Sequence, residues 1–132
     1  MRIKFLTNGP VQNFGSNTRA LNDTDYRVVV NMAYFMMKHY HTLHGKHQPT
    51  WLIQDFIANS TAHEKVDSLV RDRVELLLLP CFVWNIDLQM EIAKLYRERV
   101  PNGRVVVGGP QLIAHKDPDF FKKYPYVDYA VY

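Results

Sequence analysis

Three short stretches carry the residue types that can hold a ligand: Asn8-Gly9-Pro10, Cys81-Phe82-Val83-Trp84-Asn85 and Gly108-Gly109-Pro110-Gln111. Each follows an apolar run and so reads as the turn at the carboxyl end of a strand, where open α/β sheets place their ligands. Adjacent glycines remove side chains, so a large flat ligand can lie against backbone N–H groups; the same pair also serves a turn needing positive φ. Trp84 offers a platform under a planar cofactor or a plug at the sheet edge, and Asn85 a donor beside it or a cap for the next helix. Cys81 has no base or orienting group at a recognisable spacing, which favours a small buried side chain over a nucleophile.

His39, His41, His44 and His47 form the one histidine cluster. His41 and His44, three apart, share a helical face and have the residue type of metal ligands. The tract straddles a helix end at Gly45, where imidazoles interact favourably with the dipole, so the expectation is a solvated helix end and no metal site. His63 and His115 are assigned no role.

Strands and helices alternate along the chain to position these turns. Ile3–Leu6 reads as strand one, followed by a polar stretch from Val11 to Thr24, longer than the usual ~2–6 residues between strand and helix. That length suits a bulky ligand or a mobile polar loop. Val29, Ala33, Met36, Tyr40 and Leu43 share a helical face, predicting a first helix that buries it. Thr50–Phe56 is strand two. Thr61 to Glu64 is a capping box opening a helix with Val66, Leu69 and Val70 inward. Val74–Leu79 lacks polar alternation, as a central strand covered on both faces should. Asn85 begins a third helix with Leu88, Ile92, Leu95 and Tyr96 on one face. Arg104–Val107 is strand four, Asp117-Pro118 opens a short helix through Tyr124, and Val127–Tyr132 is strand five.

Five strands alternating with four helices predict an α/β, flavodoxin-like (Rossmann-like) doubly wound parallel sheet of order 2-1-3-4-5 in a single domain, 1–132. This topology usually continues into a helix after strand five, so the domain reads as truncated, either part of a longer polypeptide or covered on one face by another chain. The composition, 47% hydrophobic and 22% charged, is that of a globular protein. Sixteen Lys and Arg against 13 Asp and Glu give +3 with no basic stripe, so no nucleic-acid partner is expected. No segment reaches the ~18 apolar residues of a membrane span, and one cysteine requires no oxidising compartment, which makes the cytoplasm the expected location.

Leu76 to Asn85, Arg104 to Pro110, and Asp117-Pro118 through Val127-Asp128-Tyr129-Ala130-Val131 occur in an order and spacing that together resemble the N-terminal cobalamin-binding domain of the cobalamin-dependent radical S-adenosylmethionine enzymes. The resemblance covers the whole chain in topology and residues 74–132 in motif. It implies a cradle for the corrin's lower face and nucleotide tail, built from the loops after strands one, three and four. Trp84 and Asn85 would lie under the corrin, and Gly108, Gly109 and Pro110 would pass close to it. Asn8, Gly9 and Pro10 are assigned to the tail by position. The family's third strand often ends in serine where this chain has Pro80, which lacks a hydroxyl and a backbone donor. No histidine precedes His39, so the first loop supplies no imidazole to cobalt.

The three-cysteine cluster motif of the family's catalytic half is absent from a chain with one cysteine. S-adenosylmethionine and an iron-sulfur cluster would therefore belong to a C-terminal catalytic domain outside these residues, and this stretch alone is not expected to be catalytic. Two alternatives stay open: a flavodoxin-like domain binding flavin mononucleotide, using Thr7, Ser16 and Thr18, and a cofactor-free protein-interaction module.

Overall fold

A computed structural model describes residues 1–6, 23–54, 61–114 and 117–132. In chain order the elements are β1 (Arg2–Leu6), α1 (Asp23–His44), β2 (Thr50–Gln54), α2 (Ala62–Arg71), β3 (Leu76–Pro80), α3 (Ile86–Arg99), β4 (Arg104–Gly108), α4 (Pro110–Ala114), α5 (Phe120–Lys123) and β5 (Tyr129–Val131). The strands form one sheet, β2-β1-β3-β4-β5, every neighbouring pair parallel. This is the predicted α/β flavodoxin-like arrangement. No described helix is long and apolar enough to cross a membrane.

The period-2 alternation of strands sorts the side chains onto two faces. On one, Leu6, Leu77, Leu79, Val105 and Val107 pack with Val66 and Leu69 of α2 and Ile92, Ala93 and Tyr96 of α3 in the main core. The Tyr96 hydroxyl donates to the Val74 carbonyl at 2.8 Å, giving this buried phenol its required partner. Lys4 also points to this face, where its buried ammonium pairs with Asp72 and tethers the end of α2 to β1. Thr61 and Glu64 form the expected capping box: Thr61 Oγ1 accepts from the Glu64 N–H at 3.2 Å, and the Glu64 carboxylate accepts from the Thr61 N–H at 2.7 Å.

The opposite face carries Ile3, Phe5, Trp51, Leu76, Leu78, Val106, Tyr129 and Val131. Tyr34 of α1 packs its ring against Phe5 at 6.2 Å and Trp51 at 5.9 Å, covering the β1–β2 side. Two expectations are corrected here. Met36, Tyr40 and Leu43, the predicted inward face of the first helix, are 65, 67 and 63% exposed, because nothing packs over that stripe among the described residues. The third strand is fully covered on one face only: Leu77 and Leu79 are buried, whereas Leu76 and Leu78 are half-buried.

Boundaries shift as well. β3 begins two residues later than predicted and includes Pro80, which pairs with Gly108 at the end of the ladder. The helix placed after Asp117-Pro118 starts at Phe120, because Asp117 spends its side chain on the Asp119 N–H in a preceding turn. A further helix, α4, follows Gly109 directly; Pro110 at its first position fits the fixed φ and absent N–H of proline. The predicted end of strand two at Phe56 lies outside the described residues.

Candidate functional site at the carboxyl edge of the sheet

The order 2-1-3-4-5 places the topological switch point, where the strand order reverses, between β1 and β3. Pairing of these two strands ends at Phe5–Leu78, whereas β3 and β4 stay paired to Pro80–Gly108. Gln89, fully buried on α3, bridges the diverging ends: its Nε2 donates to the Leu6 carbonyl at 3.2 Å and to the Pro80 carbonyl at 3.1 Å. Sequence reading passed over Gln89. Its signal was a glutamine in the inward row with Ile92, Ala93 and Tyr96, where burial demands partners for a carboxamide.

The loop after β3 is stitched by Asn85. Its Oδ1 accepts from the Phe82 N–H at 2.8 Å and its Nδ2 donates to the Pro80 carbonyl at 3.1 Å. Asn85 stands at the N-cap position of α3 but makes no side-chain cap bond, which corrects the capping expectation: the oxygen is committed upstream. This closed turn leaves Val83 and Trp84 at its tip. The Trp84 ring stacks on Phe82 with centroids 4.7 Å apart and planes 3° from parallel, while 44% of Trp84 remains exposed. Trp84 is thus part-exposed at the loop tip, with one face against Phe82. Cys81, by contrast, is fully buried, and burial pushes its thiol up to about 12, which removes it as a nucleophile at neutral pH.

The loops after β3 and β4 are one unit. The Cys81 N–H donates to the Gly108 carbonyl at 2.6 Å and the Gln111 N–H donates to the Cys81 carbonyl at 3.3 Å. Gly109 has φ +121°, and a Cβ there would stand 2.6 Å from the Cys81 carbonyl oxygen. Gly109 is therefore required by the turn and by the contact between loops. At Gly108 a Cβ would meet Val131 at 3.5 Å, an ordinary contact.

Cys81, Phe82, Val83, Trp84, Asn85, Gly108, Gly109, Pro110 and Gln111 are therefore brought together along one edge, with the Cys81 and Asn85 side chains turned inward. Asn8, Gly9 and Pro10 lie outside the described residues, as do Thr7, Ser16, Thr18 and His115. The histidine cluster belongs to the end of α1 and the turn beyond it, where the His41 ring meets Trp51 at 5.9 Å and the His44 ring meets Tyr40 at 4.5 Å. Among the described residues no three His, Cys, Asp or Glu side chains are grouped to hold a metal ion.

The parallel sheet and its joined carboxyl-edge loops define a flavodoxin-like α/β domain. Two curated proteins share part of its sequence. A cobalamin-dependent radical SAM methyltransferase, TokK, from Streptomyces tokunonensis is 46% identical over 65 residues, 49% of this chain and 9% of that protein. A 2-(S-pantetheinyl)-carbapenam-3-carboxylate methyltransferase from Streptantibioticus cattleyicolor is 45% identical over 58 residues, 44% of this chain and 8% of that protein. The matched segments thus span less than a tenth of these relatives. No family model matches the chain.

Proposed function

We propose that this chain is the cobalamin-holding module of a radical S-adenosylmethionine methyltransferase. The observation that carries the reading is the parallel Phe82–Trp84 stack, part-exposed at the carboxyl end of β3 beside the switch point. An exposed aromatic face beside backbone amides suits contact with part of a corrin, and the relative that is a cobalamin-dependent radical SAM methyltransferase supports the same cofactor. Bound there, cobalamin would supply the chemistry of a methyl carrier.

The residues divide the work of binding. Trp84, backed by the stacked Phe82 ring and flanked by Val83, forms the apolar floor. Gly108, Gly109, Pro110 and Gln111 form the second wall, held at a fixed distance by the backbone bonds of Cys81. Asn85 and Gln89 hold the two carboxyl strand ends, so the floor is pre-organised before a ligand arrives. Asn8, Gly9 and Pro10 take the nucleotide tail. Reductive cleavage of S-adenosylmethionine requires a cluster that one cysteine cannot ligate, so catalysis belongs to a separate domain. Absorption titration of the purified chain with hydroxocobalamin, and separately with flavin mononucleotide, tests the proposal. Saturable spectral change with the corrin alone is expected; saturation with the flavin alone would overturn it.

A further inference from the structure

Asn85, Gln89 and Gln111 place carboxamides at the carboxyl edge of the sheet, and the first two are spent on the fold. Asn85 accepts from the Phe82 N–H at 2.8 Å and donates to the Pro80 carbonyl at 3.1 Å. Gln89 donates to the Leu6 and Pro80 carbonyls. Gln111, at the second position of α4, is half-buried, and its side chain has no hydrogen-bond partner among the described residues. A carboxamide carries two N–H donors and a carbonyl acceptor, so Gln111 brings an unfilled hydrogen-bonding set to this edge. The backbone around it is fixed. The Gln111 N–H donates to the Cys81 carbonyl at 3.3 Å, the next residue, Leu112, is buried, and the Leu112 N–H donates to the Gly109 carbonyl at 3.1 Å. The side chain therefore starts from the seam between the loops after β3 and β4, the two that form the floor and the wall of the proposed site.

The group that completes a carboxamide is a second carboxamide, because each donates an N–H to the other's carbonyl. A phosphate or carboxylate satisfies the donors alone and sets a negative charge against the Gln111 oxygen. A corrin meets the full requirement, since its flat ring is rimmed with primary amide side chains. Contact with the Trp84 face is apolar and indifferent to what edges the ring, so selection among corrinoids needs a directional group beside it. Resting on the cobalamin reading, we infer that Gln111 is the specificity-determining residue of the site: its carboxamide pairs with a rim amide of the corrin, and the site thereby selects an amidated corrinoid.

The test is absorption titration of the full chain and of Gln111→Leu with three probes. Hydroxocobalamin is the first; dicyanocobinamide keeps the amide rim and lacks the nucleotide tail; heptamethyl cobyrinate keeps the ring and ends its rim in esters, which have no donor. Gln111→Leu is close in volume and has no hydrogen-bonding group. It should weaken hydroxocobalamin and cobinamide by the same factor, about fivefold or more, with an unchanged urea midpoint. The wild type should bind the ester about fivefold or more weakly than cobinamide, and Gln111→Leu should narrow that gap. Equal binding of hydroxocobalamin by both proteins, a loss confined to hydroxocobalamin, a lowered urea midpoint, or an ester gap that Gln111→Leu leaves unchanged would each overturn the proposal. A wild type that binds none of the three sinks the cobalamin reading and this inference with it, whereas binding that Gln111→Leu leaves intact sinks this inference alone.

Discussion

Gly109 sits so close to Cys81 that a Cβ on the glycine would stand 2.6 Å from the Cys81 carbonyl oxygen and 3.1 Å from its amide nitrogen. Both partners are backbone, so no side-chain rotation relieves the contact, and φ at Gly109 is +121°. Gly109→Ala should therefore cost about 2 kcal/mol or more, the sum of a strained backbone and a displaced loop. Urea unfolding measures this, and amide shifts of Cys81, Phe82 and Gln111 should report the movement. An unchanged urea midpoint would show that the loops part freely.

Gln89 is the second joint of the site. Gln89→Leu keeps the volume and removes both donors, leaving the Leu6 and Pro80 carbonyls without its bonds. The expected loss is about 1–3 kcal/mol, read by chemical denaturation. Hydrogen exchange should quicken at the carboxyl ends of β1 and β3 before it does elsewhere.

The two joints were unequally legible in the sequence. Gly109 announced itself, since Gly-Gly-Pro after three valines leaves little but a strand end and a turn. Gln89 did not, because its partners are carbonyls 83 and nine residues away and appear only once β1 lies beside β3. The strand order and the capping box were readable because each rests on local pattern or on the handedness of crossovers. The face of α1 was misread for the converse reason. An apolar stripe at helical spacing specifies what needs covering, and not whether the described chain supplies the cover. Asn85 shows the same limit: a residue type suited to a cap was recruited by the Phe82 amide instead.

The Cys81 thiol provides a test of burial. With the native value at about 12 against an ordinary 9.0, the unfolded chain loses its proton first. Stability is complete below pH 9 and declines as pH rises above it, by up to about 1.4 kcal/mol per pH unit. Tyr96, also pushed by burial up to about 12, adds to the slope above pH 10. Cys81→Ala should flatten the decline between pH 9 and 10, and a thiol reagent at pH 8 should label the native protein only at the rate of unfolding. Fast, stoichiometric labelling would contradict the burial.

Asp128 governs the acid side. Burial raises its carboxyl, but the Val105 N–H together with Arg104 and Arg97 outweighs that and holds it below 3.8. Its contribution is complete above the unfolded value and is lost as pH falls through the lower native one. Asp128→Asn should cost about 1–3 kcal/mol at pH 7 and lose that deficit relative to wild type as pH falls through the lowered native value. Thermal unfolding across pH 2–7 checks both parts.

The central claim concerns the aromatic floor, and calorimetric titration of hydroxocobalamin into the wild-type chain and into Trp84→Ala tests it most directly. Because Trp84 is 44% exposed, its removal should change stability by about 1 kcal/mol or less, so a loss of binding can be read as a loss of contact. The account predicts one saturable site in the wild type and affinity at least tenfold weaker in Trp84→Ala. No binding by the wild type, or equal binding by both, would contradict it.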